Sequence, residues 1–389
     1  MTVSARWNPN LEALPTSGIR RMFNLAATLE DVVHLSIGQP DFPTPAHIIE
    51  AHIEALREGK TRYTMDAGLP ELLTALTHHY QGRFKQKLVE ENFLETTGAG
   101  EAIFLAITSL AAPGREVIVI EPSFVLFQPL VELAGAQVRR IITTAEQGYQ
   151  IDPNEVIDAI TPRTCAIILN SPGNPTGTVY PPATLQAICY EAANRGVTII
   201  SDEVYDRIVL DELPSPSVLD FDVDLDHVIV ASSFSKTYSI PGLRVGWLIS
   251  GSRNVKTLRR YHTYTTTVGN TPGQWAAVSA LEGDQTCVHE MVGEYNKRRN
   301  RIVELLKSCC HLQSYRPQGA FYIMPSLPKG TDGSEFVLRM LHEIKVCVTP
   351  GDTFGKSCRN AFRLSYATSL DRIENAFERM IPWLEKQSF

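Results

Sequence analysis

From about residue 94 to 250, short and continuously apolar runs alternate with longer segments whose apolar residues recur at helical spacing. The runs lie at 116–120, 165–169, 197–200, 227–231 and 244–249, each bounded by turn residues. Helix candidates fall between them at 101–111, 124–134 and 182–195. Strands apolar on both sides and joined through helices predict an α/β fold with a largely parallel sheet covered on both faces. The segment EAIFLAITSLA, Glu101 to Ala111, is apolar nearly all round, so it reads as a buried helix whose N-terminus points into the protein.

Beyond about residue 285 the texture changes. Met291, Tyr295, Ile302, Leu305 and Leu306 keep helical spacing over a long segment. Strand-like stretches follow at 321–324, 346–349 and 362–366, then a final helix over 369–386. This predicts a second, smaller α+β domain. The stretch through Pro45, with further prolines at 40 and 43, reads as an extended arm.

A chain of 389 residues has room for two or three domains. Hydrophobic residues at 43% and charged residues at 20% place it among globular proteins, away from disordered chains and fibres. The charge of −7 is spread without blocks, which disfavours nucleic acid as a partner. The cysteines, seven in number and without CxxC spacing, read as reduced thiols of a cytoplasmic protein, and no metal site is expected. Neither a signal peptide nor a membrane-spanning stretch is evident.

Four segments carry candidate chemistry, each following an apolar run. TTGAGEAI (Thr96 to Ile103) leads into the buried helix; its small residues let backbone N–H groups approach an anion, although a plain strand-to-helix turn would look the same. Gly98-x-Gly100 followed by Glu121 also fits a dinucleotide fingerprint with a ribose-binding acid, but Ile103 occupies the third glycine position. SPGNPTG (Ser171 to Gly177) is a stiffened loop that would present the Asn174 amide. In TIISDEVYD, Asp202 and Glu203 end a strand and Tyr205 follows; a buried carboxylate there calls for a cationic partner. ASSFSKTYSIPGLRVG sets Lys236 among Ser233, Ser235 and Thr237, with Arg244 at the start of the next strand. Hydroxyls with a guanidinium suit a phosphate, and a lysine withdrawn from water becomes nucleophilic enough to form a Schiff base. A phosphate cradle, a carboxylate, an amide, a phenol and a lysine on one sheet edge together fit pyridoxal 5'-phosphate.

In the ordered set YT…GLPEL, TTGAGEAI, SPGNPTG, SDEVY, SFSK, GLRVGW, PQGAFY and FRLSYA, the chain resembles the class I/II aminotransferases of the aspartate aminotransferase superfamily, fold type I, over nearly its whole length. The resemblance implies a three-layer large domain over 46–285 with a mostly parallel central sheet. It implies a small domain made of the arm, 1–45, and residues 286–389, which closes over substrate. By the same resemblance Lys236 bonds the cofactor aldehyde and moves the substrate α-proton, Asp202 meets the pyridine nitrogen, and Asn174 and Tyr205 hydrogen-bond the phenolic oxygen. Phosphate contacts fall to Ala99, Gly100, Ser233, Ser235 and Arg244, and to Tyr63 from the other subunit of a homodimer. Phe124 stacks on the ring, Arg363 holds the substrate α-carboxylate, and Gly38 contacts the same group through its main chain.

The implied activity is amino-group transfer between an L-amino acid and a 2-oxo acid by a ping-pong cycle. Some acidic-substrate relatives carry a lysine where this chain has Gly100, and no second arginine is evident. Aspartate preference is therefore not implied, while glutamate with 2-oxoglutarate fits as one couple. A β-lyase, racemase or synthase could use the same cofactor shell, and a nicotinamide oxidoreductase is the rival from another class.

Overall fold

The computed structural model of the chain describes residues 9–14, 16–84 and 86–387, so the first eight residues of the expected arm lie outside the described residues. A two-residue strand, β1 (Val33–His34), precedes seven strands of one sheet. These are β2 (Phe93–Thr96), β3 (Glu116–Glu121), β4 (Gln137–Ile142), β5 (Thr164–Asn170), β6 (Thr198–Asp202), β7 (Val228–Ser233) and β8 (Gly246–Ile249). Their order is β2-β8-β7-β6-β5-β3-β4, and only the pairings of β8 are antiparallel. The chain reverses its direction of travel across the sheet between β3 and β5, the place where open α/β sheets leave a ligand crevice at the strands' carboxyl ends.

Strand alternation builds two cores from one sequence. Val117 and Val119 of β3 pack on one face with Ala166, Ile168 and Ile200, whereas Ile118 and Ile120 pack on the other with Ile167, Leu169 and Ile199. Both faces are covered, which is why the runs are apolar throughout and why the large domain has three layers. The helix Ala99–Leu110 lies in the first core, with Ala102, Leu105 and Ala106 fully buried. That core runs on without a break into C-terminal residues such as Phe321, Met340 and Leu364.

The C-terminal strands are β9 (Tyr322–Ile323), β10 (Val346–Cys347), β11 (Thr349–Pro350) and β12 (Phe362–Ser365). β1 pairs with β10 in parallel, and β11, β12 and β9 form an antiparallel sheet. The run expected as one strand at 346–349 therefore splits between two sheets. The long helix spans Thr286–Lys307 and the last one Leu370–Leu384. Two further expectations are corrected. Arg244 does not begin a strand: it sits in the left-handed region, φ 56°, closing the turn Pro241–Leu243 before β8. The helix expected over 124–134 is shorter, Phe127–Leu133, and leaves Phe124 in the preceding loop. Among the described residues no helix is long and apolar enough to cross a membrane, and all seven cysteines are free thiols.

Candidate active site

The turn after β2 and the carboxyl ends of β5, β6 and β7 meet at one edge of the sheet. Gly98, at φ 74°, folds the chain back so that the helix beginning at Ala99 presents its first N–H groups to that edge. Arg244 bridges the turn, donating from Nη2 to the Thr97 carbonyl at 3.1 Å and from Nη1 to the Pro241 carbonyl at 3.1 Å. Bare backbone is required beneath: a Cβ on Gly246 would stand 2.7 Å from Gly98 C and 2.8 Å from Ala99 N. Ser233 faces Gly246 across the β7–β8 ladder, and its Oγ lies 2.8 Å from Ser235 Oγ. Helix N–H groups, two buried hydroxyls and a guanidinium make an anion cradle, and the buried Thr97 Oγ1 there has no protein partner.

Hydrogen bonds join Asp202, Asn174 and Arg363 through Asn170, and two further hydrogen-bonded pairs hold Tyr205 and Lys236. Asn170 ends β5 beside Asp202 of β6 and donates from Nδ2 to the Asp202 carbonyl at 3.0 Å. Its Oδ1 accepts the Asn174 N–H at 2.8 Å, which fixes the SPGNPTG loop. Asn174 Oδ1 in turn accepts from Arg363 Nη1 at 2.9 Å, and Arg363 Nη2 donates to the Ser36 carbonyl at 2.7 Å. Arg363 Nε is buried without a partner. The guanidinium carbon lies 4.4 Å from the Tyr322 ring centre and 4.9 Å from that of Phe354. Tyr322 OH meets Tyr205 OH at 2.9 Å, and Lys236 Nζ donates to the Gly38 carbonyl at 2.7 Å. Gly38 presses against Tyr322 OH so closely that a side chain would not fit.

Burial sets the electrostatics. It pushes the Asp202 carboxyl up to about 7, against the opposing pull of the Val204 N–H and the Lys236 ammonium. Lys236 is brought down to about 8, first by burial and then by Arg363 and Arg244, with Asp202 opposing. Desolvation thus outweighs the attraction between the two groups. Burial, followed by the adjoining Tyr322, raises Tyr205 well above the usual phenol range. Three basic side chains, Lys236, Arg244 and Arg363, share this edge with the Asp202 carboxylate, while Glu121 and Glu203 are taken up by other donors. That excess, with the unpaired Arg363 Nε and Thr97 Oγ1, fits a phosphorylated cofactor together with a carboxylate substrate.

Three predicted residues stand apart from this network. Phe124 is half-buried and meets Phe127 edge-on at 5.8 Å. Tyr63 is 85% exposed. Glu121, the acid of the nicotinamide reading, is 1% exposed and accepts the Ser357 N–H at 2.7 Å, which leaves no open carboxylate for a ribose. Sequence reasoning passed over Tyr322, Phe354 and Ser36. Tyr322 stands within the PQGAFY motif, and only the pairing of β9 with β12 reveals its neighbours.

Fold and site together define an aminotransferase that works with pyridoxal 5'-phosphate. The model of the family described as aminotransferase class I and II matches residues 30–380, and the chain belongs to that family. It is 39% identical over 366 residues to a probable aspartate aminotransferase of Methanocaldococcus jannaschii, covering 92% of this chain and 95% of that one. To an aromatic-amino-acid aminotransferase of Thermococcus litoralis it is 34% identical, covering 95% and 96%. The crystal structure of an aspartate aminotransferase from Thermotoga maritima superposes with a TM-score of 0.92 at 34% identity, covering 98% of this chain and all of that one.

Proposed function

We propose that this aminotransferase joins its cofactor through Lys236, pairs the ring nitrogen with Asp202, and binds the substrate α-carboxylate through Arg363. Bound pyridoxal phosphate supplies an aldehyde that bonds amines reversibly and a ring that accepts the electrons released at the α-carbon. Lys236 Nζ, once freed, holds and returns the α-proton; its lowered proton affinity keeps a share of the amine neutral near pH 8. Asp202 supplies the negative charge that keeps a ring nitrogen protonated, and Asn174 and Tyr205 donate to the phenolic oxygen. Ala99, Gly100, Ser233, Ser235 and Arg244 hold the phosphate, Phe124 lies against the ring, and Gly38 lends its main chain to the substrate.

The observation that carries this reading is the buried Lys236 amine, hydrogen-bonded to the Gly38 carbonyl and within electrostatic reach of Asp202, Arg244 and Arg363. Borohydride reduction of the holoenzyme followed by peptide mapping should find the cofactor on Lys236; a label on any other lysine overturns the assignment. The names of the relatives make aspartate and aromatic amino acids the first donors to test, with 2-oxoglutarate as acceptor.

Large and small domains are assigned as 46–285 and as the arm with 286–389, in a cytoplasmic homodimer. The exposure of Tyr63 supports its reach to a phosphate in the partner subunit. Mixing Lys236→Ala with Tyr63→Ala subunits tests this. Each mixed dimer contains one site with an intact lysine and an intact tyrosine, so activity should return on mixing; no recovery in dimers shown to have exchanged subunits refutes the shared site.

A further inference from the structure

Glu121 ends β3 at the edge of the site, and its carboxylate has a full set of partners there. Oε1 accepts the Ser357 N–H at 2.7 Å, while Oε2 accepts from Gln128 Nε2 at 3.0 Å and lies 3.3 Å from Arg140 Nε. Gly355, at φ 148°, lies directly on the carboxylate stem, where no side chain would fit. Two residues beyond Glu121, the Ser123 N–H donates to the Phe354 carbonyl at 2.8 Å. The loop between β11 and β12 is thus fastened to the end of β3 at 354, 355 and 357. What that loop delivers to the site is the Phe354 ring against the Arg363 guanidinium. Among the described residues Arg363 reaches protein acceptors only through its two Nη atoms, and the aromatic rings beside it help to fix its plane.

We propose that Glu121 is a positioning residue for substrate binding: by holding the Ser357 N–H and packing against Gly355 it sets Phe354 against Arg363, and so the angle at which Arg363 meets a carboxylate. This rests on Arg363 being the carboxylate-binding residue. A bidentate fork tolerates little rotation, so slack in the loop weakens binding of both the amino acid and the 2-oxo acid while leaving the cofactor cradle untouched.

Steady-state kinetics on the holoenzyme, with Glu121→Ala, Phe354→Leu, their double variant and Arg363→Lys, test the chain of action. Glu121→Ala and Phe354→Leu should each raise KM for both substrates roughly three- to tenfold, with kcat within about twofold and cofactor affinity unchanged. The double variant should be no worse than Phe354→Leu alone, because the two changes break one linkage. Glu121→Gln, which keeps one acceptor for the Ser357 N–H, should fall between wild type and Glu121→Ala, and it replaces the latter in the cycle should that variant not fold. Multiplying effects, or a normal KM in the Glu121 variants beside a raised one in Phe354→Leu, overturn the proposal. An unchanged KM in Arg363→Lys instead overturns the carboxylate reading beneath it.

Discussion

In the apoenzyme Asp202 is a buried carboxyl group, and replacing it with asparagine should stabilise the protein above neutral pH. Burial raises its pKa from 3.8 to about 7, which corresponds to about 4 kcal/mol of cost for the ionised form in the folded chain. The native state keeps a proton that the unfolded chain has already released, so stability is full below 3.8, falls as pH rises, and levels off above about 7. Between pH 5 and 7.5 the wild-type apoenzyme should therefore lose about 2.5 kcal/mol that Asp202→Asn does not lose. For 389 residues, with an unfolding entropy of about 2.1 cal/mol/K per residue, that difference amounts to roughly 3 °C in Tm. Calorimetry of both apoenzymes at matched concentration across this range is the assay, and the gap should widen toward pH 7.5. In the holoenzyme the order should reverse if, as proposed, the cofactor's ring nitrogen gives the carboxylate a cationic partner. Parallel Tm curves for the two apoenzymes would refute the claim that Asp202 is buried beyond the compensation of Lys236.

Other outcomes follow from close contacts. Gly246→Ala puts a methyl 2.7 Å from Gly98 C, so the phosphate turn must shift and the dissociation constant for pyridoxal phosphate, measured by fluorescence titration, should rise at least about tenfold. Tyr322→Phe leaves the buried Tyr205 hydroxyl without its 2.9 Å partner, at a cost of about 1–3 kcal/mol in apoenzyme stability. Adding Tyr205→Phe should recover part of that loss in denaturant unfolding, since no lone hydroxyl then remains.

The sheet was legible because its strands are buried on both faces and so read as unbroken apolar runs. β4 was not: in QVRRII only Ile141 is buried, as suits an edge strand that turns its arginines outward. Within the site, residues on consecutive strand ends were visible as motifs. Asp202 and Glu203 are adjacent in sequence yet face apart, Glu203 accepting from Ser201 Oγ at 2.8 Å and the Val218 N–H at 3.2 Å, and strand alternation rather than residue type makes that distinction. Arg363 and Asn174 meet across 189 positions, a contact that no periodicity encodes. Tyr322 and Phe354 went unnoticed for a related reason: Tyr322 lies in an apolar run that reads as core and Phe354 in the polar turn GDTFGK, and the place of each beside Arg363 appears only when β9, β11 and β12 come together.

The same burial that creates the chemistry gathers more positive than negative charge at this edge of the sheet. Arg363 and Lys236 donate to the neutral carbonyls of Ser36 and Gly38. Asp202 meets its strongest opposing influence in a backbone N–H. On the proposed assignment, a phosphate dianion in the cradle, a protonated ring nitrogen at Asp202 and a carboxylate at Arg363 would each bring an opposite charge. Cofactor binding should therefore do more than raise Tm by mass action. It should also flatten the dependence of Tm on pH between 5 and 7.5, because an ion-paired Asp202 no longer retains a proton that the unfolded chain gives up. A holoenzyme whose Tm falls with pH as steeply as that of the apoenzyme would show that Asp202 does not meet the cofactor's charge.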